Sequence, residues 1–226
     1  EIGVRLVGSE MCIRDRDKYP VEQVATPEGY ARNPELVINF YNERRKQLLD
    51  VVPNAGHLGV ADLERDFNVT VVTQNVDNLH ERAGSTHVIH LHGELTKVCS
   101  SRDPYNPHFV KELAPEEYEV KLGDKAGDGT QLRPFIVWFG ESVPEIETAI
   151  RYVEQADIFV IIGTSLNVYP AAGLLNYVPR AAEVYLIDPK PVDTHVMRPI
   201  HVIQKGASEG VKELKALLTA TQPPLP

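Results

Sequence analysis

The sequence predicts an α/β fold, a doubly wound parallel sheet with a smaller second lobe made of insertions. Three observations lead there. Short β-branched runs alternate with helical patterns along most of the chain. The strand-like runs are largely apolar, as strands covered on both faces tend to be. Two stretches break the alternation: 20–60 reads as mainly helical with prolines as punctuation, and 94–133 is polar and loop-rich with several prolines and glycines.

In chain order, residues 69–73, 135–139, 157–162, 184–187 and 201–203 read as strands, because β-branched and aromatic side chains suit a pleated surface. Residues 35–50, 57–66, 145–155, 171–177 and 209–218 carry apolar residues at helical spacing. A sheet wound this way is Rossmann-like. It is expected in one domain over 17–218, with a large lobe from 61–93 and 134–218. The small lobe is expected from 20–60 and 94–133, since a long, weakly structured segment inside a compact domain is usually a subdomain or functional. Residues 1–16 fit neither lobe and are expected to be foreign or disordered.

Composition excludes several classes of function. The chain has 226 residues and a net charge of −9, so no basic footprint invites nucleic acid. Its longest apolar run, Ile158 to Ile162, is far too short to cross a bilayer. No secretory pattern opens the chain, and a cytoplasmic protein is the expectation. The two cysteines, Cys12 and Cys99, cannot form a four-thiolate zinc site. Nothing in the sequence speaks to the oligomeric state.

Four places carry polar residues suited to chemistry. Gln74, Asn75 and Asp77 follow the strand 69–73 at its carboxyl end, where α/β sheets bind ligands. His90 and His92 share a face if extended. They read as a metal pair, as core histidines satisfied by backbone, or, for His92 beside Gly93, as a base held close to a ligand. Gly163-Thr164-Ser165 ends the strand 157–162 and reads either as an anion cradle or as an ordinary polar turn. Asp188 ends the strand 184–187, where dinucleotide folds place an acid against an adenosine ribose. No Gly-x-Gly-x-x-Gly occurs, so an ordinary dehydrogenase is not supported. On the helix 35–50, at about 100° per residue, Leu36, Val37, Phe40 and Leu48 form an apolar stripe. Arg44 falls inside it and Tyr41 at its edge. A guanidinium there must be paired, snorkelling, or waiting for an anionic ligand.

Thr73-Gln74-Asn75-Val76-Asp77-Asn78-Leu79-His80, then Ala83-Gly84 and His90-Leu91-His92-Gly93, resemble the central signature of the sirtuins, NAD-dependent protein-lysine deacylases. Arg133-Pro134 with Val137-Trp138-Phe139-Gly140-Glu141, and Gly163-Thr164-Ser165 with Val168-Tyr169-Pro170-Ala171, match further motifs of that family in the same order. The resemblance implies that His92 is the general base, deprotonating a ribose hydroxyl after the acyl oxygen of the substrate lysine has displaced nicotinamide. It implies that Gln74 and Asn75 hold the nicotinamide ribose and Asp77 the carboxamide, with Asn75 also counted as catalytic. Gly163, Thr164 and Ser165 would meet the phosphates and ribose, and Asp188, Pro189, Lys190 and Ala207 the adenosine. Phe139, Gly140 and Glu141, with Asn167, Val168 and Tyr169, would form the two edges that grip an acylated-lysine peptide as an added strand.

Three departures refine this expectation. Many relatives carry four zinc cysteines in the small lobe; here Cys99 stands alone, so NAD is the expected cofactor and no zinc is expected. The family's Gly-Ala-Gly loop, which wraps the NAD diphosphate, has no counterpart in residues 1–16, so weak NAD binding is expected. Tyr41-x-x-Arg44 matches the branch that removes succinyl and malonyl groups. Deacylation is therefore the leading expectation, with desuccinylation, demalonylation and deacetylation all compatible. A non-catalytic module binding acyl-lysine or ADP-ribose, and an ADP-ribosyltransferase, are the alternatives.

Overall fold

A computed structural model of the chain describes residues 2–5, 19–163, 171–191 and 198–220. Six strands form one sheet: β1 (Ile2–Arg5), β2 (Val69–Thr73), β3 (Val88–His90), β7 (Ile158–Ile162), β8 (Glu183–Ile187) and β9 (His201–Ile203). All pair in parallel, in the order β3-β2-β1-β7-β8-β9. The doubly wound arrangement follows from β7, which has a side chain for each face. Val160 and Ile162 join Val69, Val71, Tyr185 and Ile187 in the core on one face. Phe159 and Ile161 join Val72, Val184 and Leu186 on the other, as a period of two requires.

Helix α4 (Ala55–Leu63) and helix α7 (Ala207–Ala220) cover the first face through Val60, Leu63, Val211 and Leu214. Gly210 lets α7 lie directly on β8, since a Cβ there would stand 2.2 Å from Ile187 Cγ2. Helix α6 (Ile146–Val153) and the 3₁₀ segment Ala171–Tyr177 cover the second. Among the described residues no helix is long and apolar enough to cross a membrane.

The second layer is a three-stranded antiparallel sheet in the order β5-β4-β6, from β4 (Gly93–Ser100), β5 (Lys111–Glu112) and β6 (Leu132–Ile136). Helices α1 (Val21–Val24), α2 (Pro27–Arg32) and α3 (Pro34–Asp50) precede it in sequence. Pro27 and Pro34 open α2 and α3, where a missing N–H costs nothing. Asn33 caps α3 by accepting from Leu36 N at 3.1 Å. Val37, Tyr41 and Leu48 of α3 then pack with Leu95, Ile136 and Trp138, and Ile38 with Val98 and Val120.

Three expectations need correction. Residues 1–16 are not all outside the fold, because Ile2–Arg5 is the central strand, paired with β2 and β7. A short β-branched run suffices where neighbours on both sides supply hydrogen-bond partners. Residues 135–139 do not extend the parallel sheet; the strand is Leu132–Ile136 and pairs antiparallel with β4. An apolar run reads alike in either sheet, and Pro134 is tolerated because β6 is an edge strand. The boundary near 60 falls inside α4, which packs on the large sheet.

The two sheets join at Gly93, with a backbone φ of +79°. A Cβ there would lie 2.1 Å from the Phe135 carbonyl oxygen. Gly93→Ala should therefore lower stability by about 2 kcal/mol or more. The check is a lower urea midpoint with an unchanged slope.

Candidate active site

Because the strands run in parallel, every carboxyl end opens on one edge of the sheet. Gln74, Asn75 and Asp77 follow β2, Leu91 and His92 follow β3, Gly163 follows β7 and Asp188 follows β8. The strand order reverses at β1, which has β2 on one side and β7 on the other. Ligands of such sheets bind in the crevice at that reversal. Gly163 has φ +62° and donates its N–H to Ile187 O at 2.8 Å, which extends the pairing of β7 with β8 by one bond. Asp188 is buried and its Oδ1 accepts from Lys190 N at 2.8 Å. Pro189 and Lys190 are exposed beside it, and Ala207 opens α7. Thr164, Ser165, Asn167, Val168 and Tyr169 lie outside the described residues.

The turn after β2 is held at several points. Asn75 N donates to Thr73 Oγ1 at 3.0 Å, and Leu95 N donates to Val76 O at 2.7 Å. Asp77 Oδ1 accepts from Leu79 N at 3.1 Å, at the start of helix α5 (Leu79–Ala83). Burial raises the Asp77 carboxyl above its usual range, against the pull of that bond and of His57. His90 is buried with Nδ1 3.1 Å from Asn75 O and Nε2 2.7 Å from Glu81 Oε1. Glu81, His90 and Glu94 bring ligating atoms within 4.8 Å of one another. His92 is not part of that cluster, so His90 and His92 do not act as the pair that their alternation suggested. His92 is half-buried, its carbonyl accepting from Val137 N at 3.0 Å, and Gly93 follows it. It sits where the chain passes from one sheet to the other, beside the Gln74–Asp77 turn.

Across the joint, Tyr41 is buried and its hydroxyl accepts from Trp138 Nε1 at 3.0 Å, which leaves the O–H proton to donate. Burial pushes the Tyr41 phenol up to about 12, so that proton is retained. Arg44 is half-buried, its Cζ 4.4 Å from the centre of the Phe40 ring. The guanidinium inside the apolar stripe is instead Arg45, only 3% exposed. It donates to Tyr118 O at 2.7 Å, Asn42 Oδ1 at 2.7 Å and Leu95 O at 3.4 Å. The buried face of α3 is Val37, Ile38, Tyr41, Arg45 and Leu48, one residue round from the stripe expected.

Sequence reasoning missed a pair that shapes the site. Arg133 grips Glu141 with two bonds, Nη1 to Oε1 at 2.8 Å and Nη2 to Oε2 at 3.0 Å. Its guanidinium also lies 3.7 Å from the centre of the Trp138 ring, and Glu141 Oε2 accepts from Trp138 N at 2.8 Å. The signal was the spacing of Arg133 and Glu141 around an apolar run. The Glu141 carboxylate is thus engaged within the protein, and Phe139 and Gly140 are the exposed part of that edge, Phe139 by 68%. Cys99 is buried with its thiol 3.7 Å from Pro134 O, and burial pushes it up to about 12.

Under the site lie His80, 1% exposed, and His57, their rings edge to face at 4.9 Å. Among the described residues no group pairs with His57 Nε2 or with either nitrogen of His80. Burial, then the neighbouring His57, pushes His80 down to about 3, and burial lowers His57 too. Both are neutral in the fold, while unfolded histidines take up protons below about pH 6.5. Their contribution is therefore complete above that pH and is lost as pH falls, by up to about 1.4 kcal/mol per unit for each. Urea midpoints should drop from neutral to mildly acid pH, and His80→Gln should flatten that slope.

The model of the Sir2 family matches residues 16–170. An NAD-dependent protein deacylase of Bacteroides thetaiotaomicron is 84% identical over 202 residues, covering 89% of this chain and 86% of that protein. One of Helicobacter pylori is 46% identical over 196 residues, covering 87% and 83%. The crystal structure of a Sir2 homologue with NAD superposes with a TM-score of 0.79 at 32% identity, over 98% of this chain and 91% of that one. A Sir2 homologue with ADP-ribose gives 0.79 at 31%, over 99% and 95%. Motif order, sheet order and these likenesses agree, and the chain belongs to the Sir2 family.

Proposed function

We propose that this protein removes acyl groups from lysine side chains of proteins at the expense of NAD, releasing nicotinamide and O-acyl-ADP-ribose. The observation that carries the reading is the gathering of His92 and the Gln74–Asp77 turn at the carboxyl edge of the sheet. It is supported by an 84% identical relative named an NAD-dependent protein deacylase. A Sir2 structure with a p53 peptide and NAD, 25% identical over 97% of this chain with a TM-score of 0.74, supports a peptide substrate.

The residues present suit NAD. Asp188 keeps one carboxylate oxygen for a ribose hydroxyl beyond the bond to Lys190 N, and the positive φ of Gly163 brings main chain close to the crevice. When bound, NAD supplies an electrophilic ribose carbon and a neutral leaving group. His92 then takes a proton from a ribose hydroxyl, a role open to an imidazole near neutrality. Asn75 and Gln74 would orient that ribose, and Asp77, in the turn before α5, would hold the carboxamide. Phe139 and Gly140 offer an exposed edge to the peptide, which the Arg133–Glu141 pair keeps in place.

We further infer a preference for acidic acyl groups. Arg44 and the Tyr41 hydroxyl are neighbours on α3, one a fixed cation and the other a retained donor. Together they suit the distal carboxylate of a succinyl or malonyl group, which an acetyl group lacks.

Two measurements test this. His92→Ala should lower turnover by about 10²–10⁴-fold, read as nicotinamide release from NAD and acyl peptide, with the unfolding midpoint unchanged. Near-normal turnover would remove His92 as the base. Arg44→Met should lower the ratio of kcat/KM for succinyl-lysine over acetyl-lysine peptide by about tenfold or more. An unmoved ratio would make Arg44 structural and the enzyme a plain deacetylase.

A further inference from the structure

His90 ends β3 and has no part in the reaction as derived above. Its ring lies between Asn75 O at 3.1 Å and Glu81 Oε1 at 2.7 Å. A carbonyl oxygen can only accept, so Nδ1 carries a proton. An ionised carboxylate can only accept, so Nε2 carries one as well. With Glu81 ionised, only the imidazolium form makes both bonds.

The groups facing it come from each neighbouring element. Glu81 on α5 is in contact, and Glu94 on β4 brings a carboxylate oxygen into the same cluster. Lys97 pairs with Glu94 at 2.6 Å and offsets part of that charge. Asp77 and His80 also face it from the turn and from α5. Burial alone would lower His90; the bond and charge of Glu81, then Glu94, outweigh burial and hold it above the ordinary histidine value. A neutral ring would fail in either tautomer, because one lone pair would then point at an acceptor oxygen.

We propose that His90 is a positioning residue which, as an imidazolium, latches the Gln74–Asn75 turn to Glu81 of α5 through the Asn75 carbonyl, and that loss of its proton frees the turn and weakens NAD binding. The cofactor half of this rests on the NAD site proposed above; the latch itself does not. A structural core histidine would hold the turn equally at all pH, whereas this one releases it as pH rises through a raised pKa.

The test uses the full chain and two variants, His90→Gln and Glu81→Gln. Imidazole nitrogen NMR should show both His90 nitrogens protonated at about pH 7, with a pKa above the ordinary value that falls in Glu81→Gln. Amide exchange of residues 74–77 should quicken in step with that titration, beyond the ordinary rise of exchange with pH. By calorimetry, the wild-type Kd for NAD should rise about tenfold from about pH 7 to about pH 9. His90→Gln should bind at pH 7 as the wild type does at pH 9 and show little further change. A His90 nitrogen without a proton at pH 7 would overturn the latch, and so would an equal alkaline loss of affinity in His90→Gln. If the wild type bound no NAD at either pH while exchange still followed the His90 titration, the latch would stand and its coupling to NAD would fall. Should His90→Gln not fold, Glu81→Gln must still shift the alkaline loss to lower pH, and an unshifted profile overturns the proposal.

Discussion

The chain leaves one sheet and enters another within three residues, and the rest of the site depends on that crossing. β3 ends at His90 and β4 begins at Gly93. The Phe135 backbone comes so near that a Cβ at Gly93 would stand 2.1 Å from its carbonyl oxygen. No other residue type fits a positive φ with so little room. His92 is therefore presented between the two sheets by backbone geometry, and its own carbonyl ties it to Val137 of the second layer.

Around this crossing the protein places charges where apolar packing would be expected. Arg45, Arg133, Asp77 and His90 are all buried. Each has hydrogen-bonding partners, since an unpaired buried charge costs far more than a paired one. Replacing such groups by apolar residues is often neutral for stability, so their presence argues for positional control rather than for strength. Arg133 holds the segment that exposes Phe139, and Arg45 ties α3 to Leu95 and Tyr118. His90 ties the turn after β2 to α5. Specific hydrogen bonds resist sliding in a way that interchangeable methyl contacts do not.

How much of this was legible differs from residue to residue. The strands Val69–Thr73 and His201–Ile203 were readable to the residue, because turns bound both runs. Ile2–Arg5 was not, since a four-residue run owes its strand state to β2 and β7 on either side. A strand was read at 135–139, but it is Leu132–Ile136 and belongs to the other sheet, because apolar content encodes neither the exact bounds nor the partner. Arg44 and Arg45 show the limit most plainly. They are adjacent, and one step round the helix decides which is buried; that step is set by where Leu95, Val98 and Trp138 lie.

By itself the sequence determined the fold class, the family and the residues that meet at the carboxyl edge. These follow from local period, from turn chemistry and from motifs whose order along the chain survives any packing. Only the tertiary structure decided the pairings: Arg133 with Glu141, Tyr41 with Trp138, and His90 with both Asn75 and Glu81. It also decided that His90, two residues from His92, is buried while His92 is half-buried. A pattern along a chain states which side chains share a face, but a hydrogen bond needs two atoms within about 3 Å. That distance is set by how the elements pack against one another, which no local period carries.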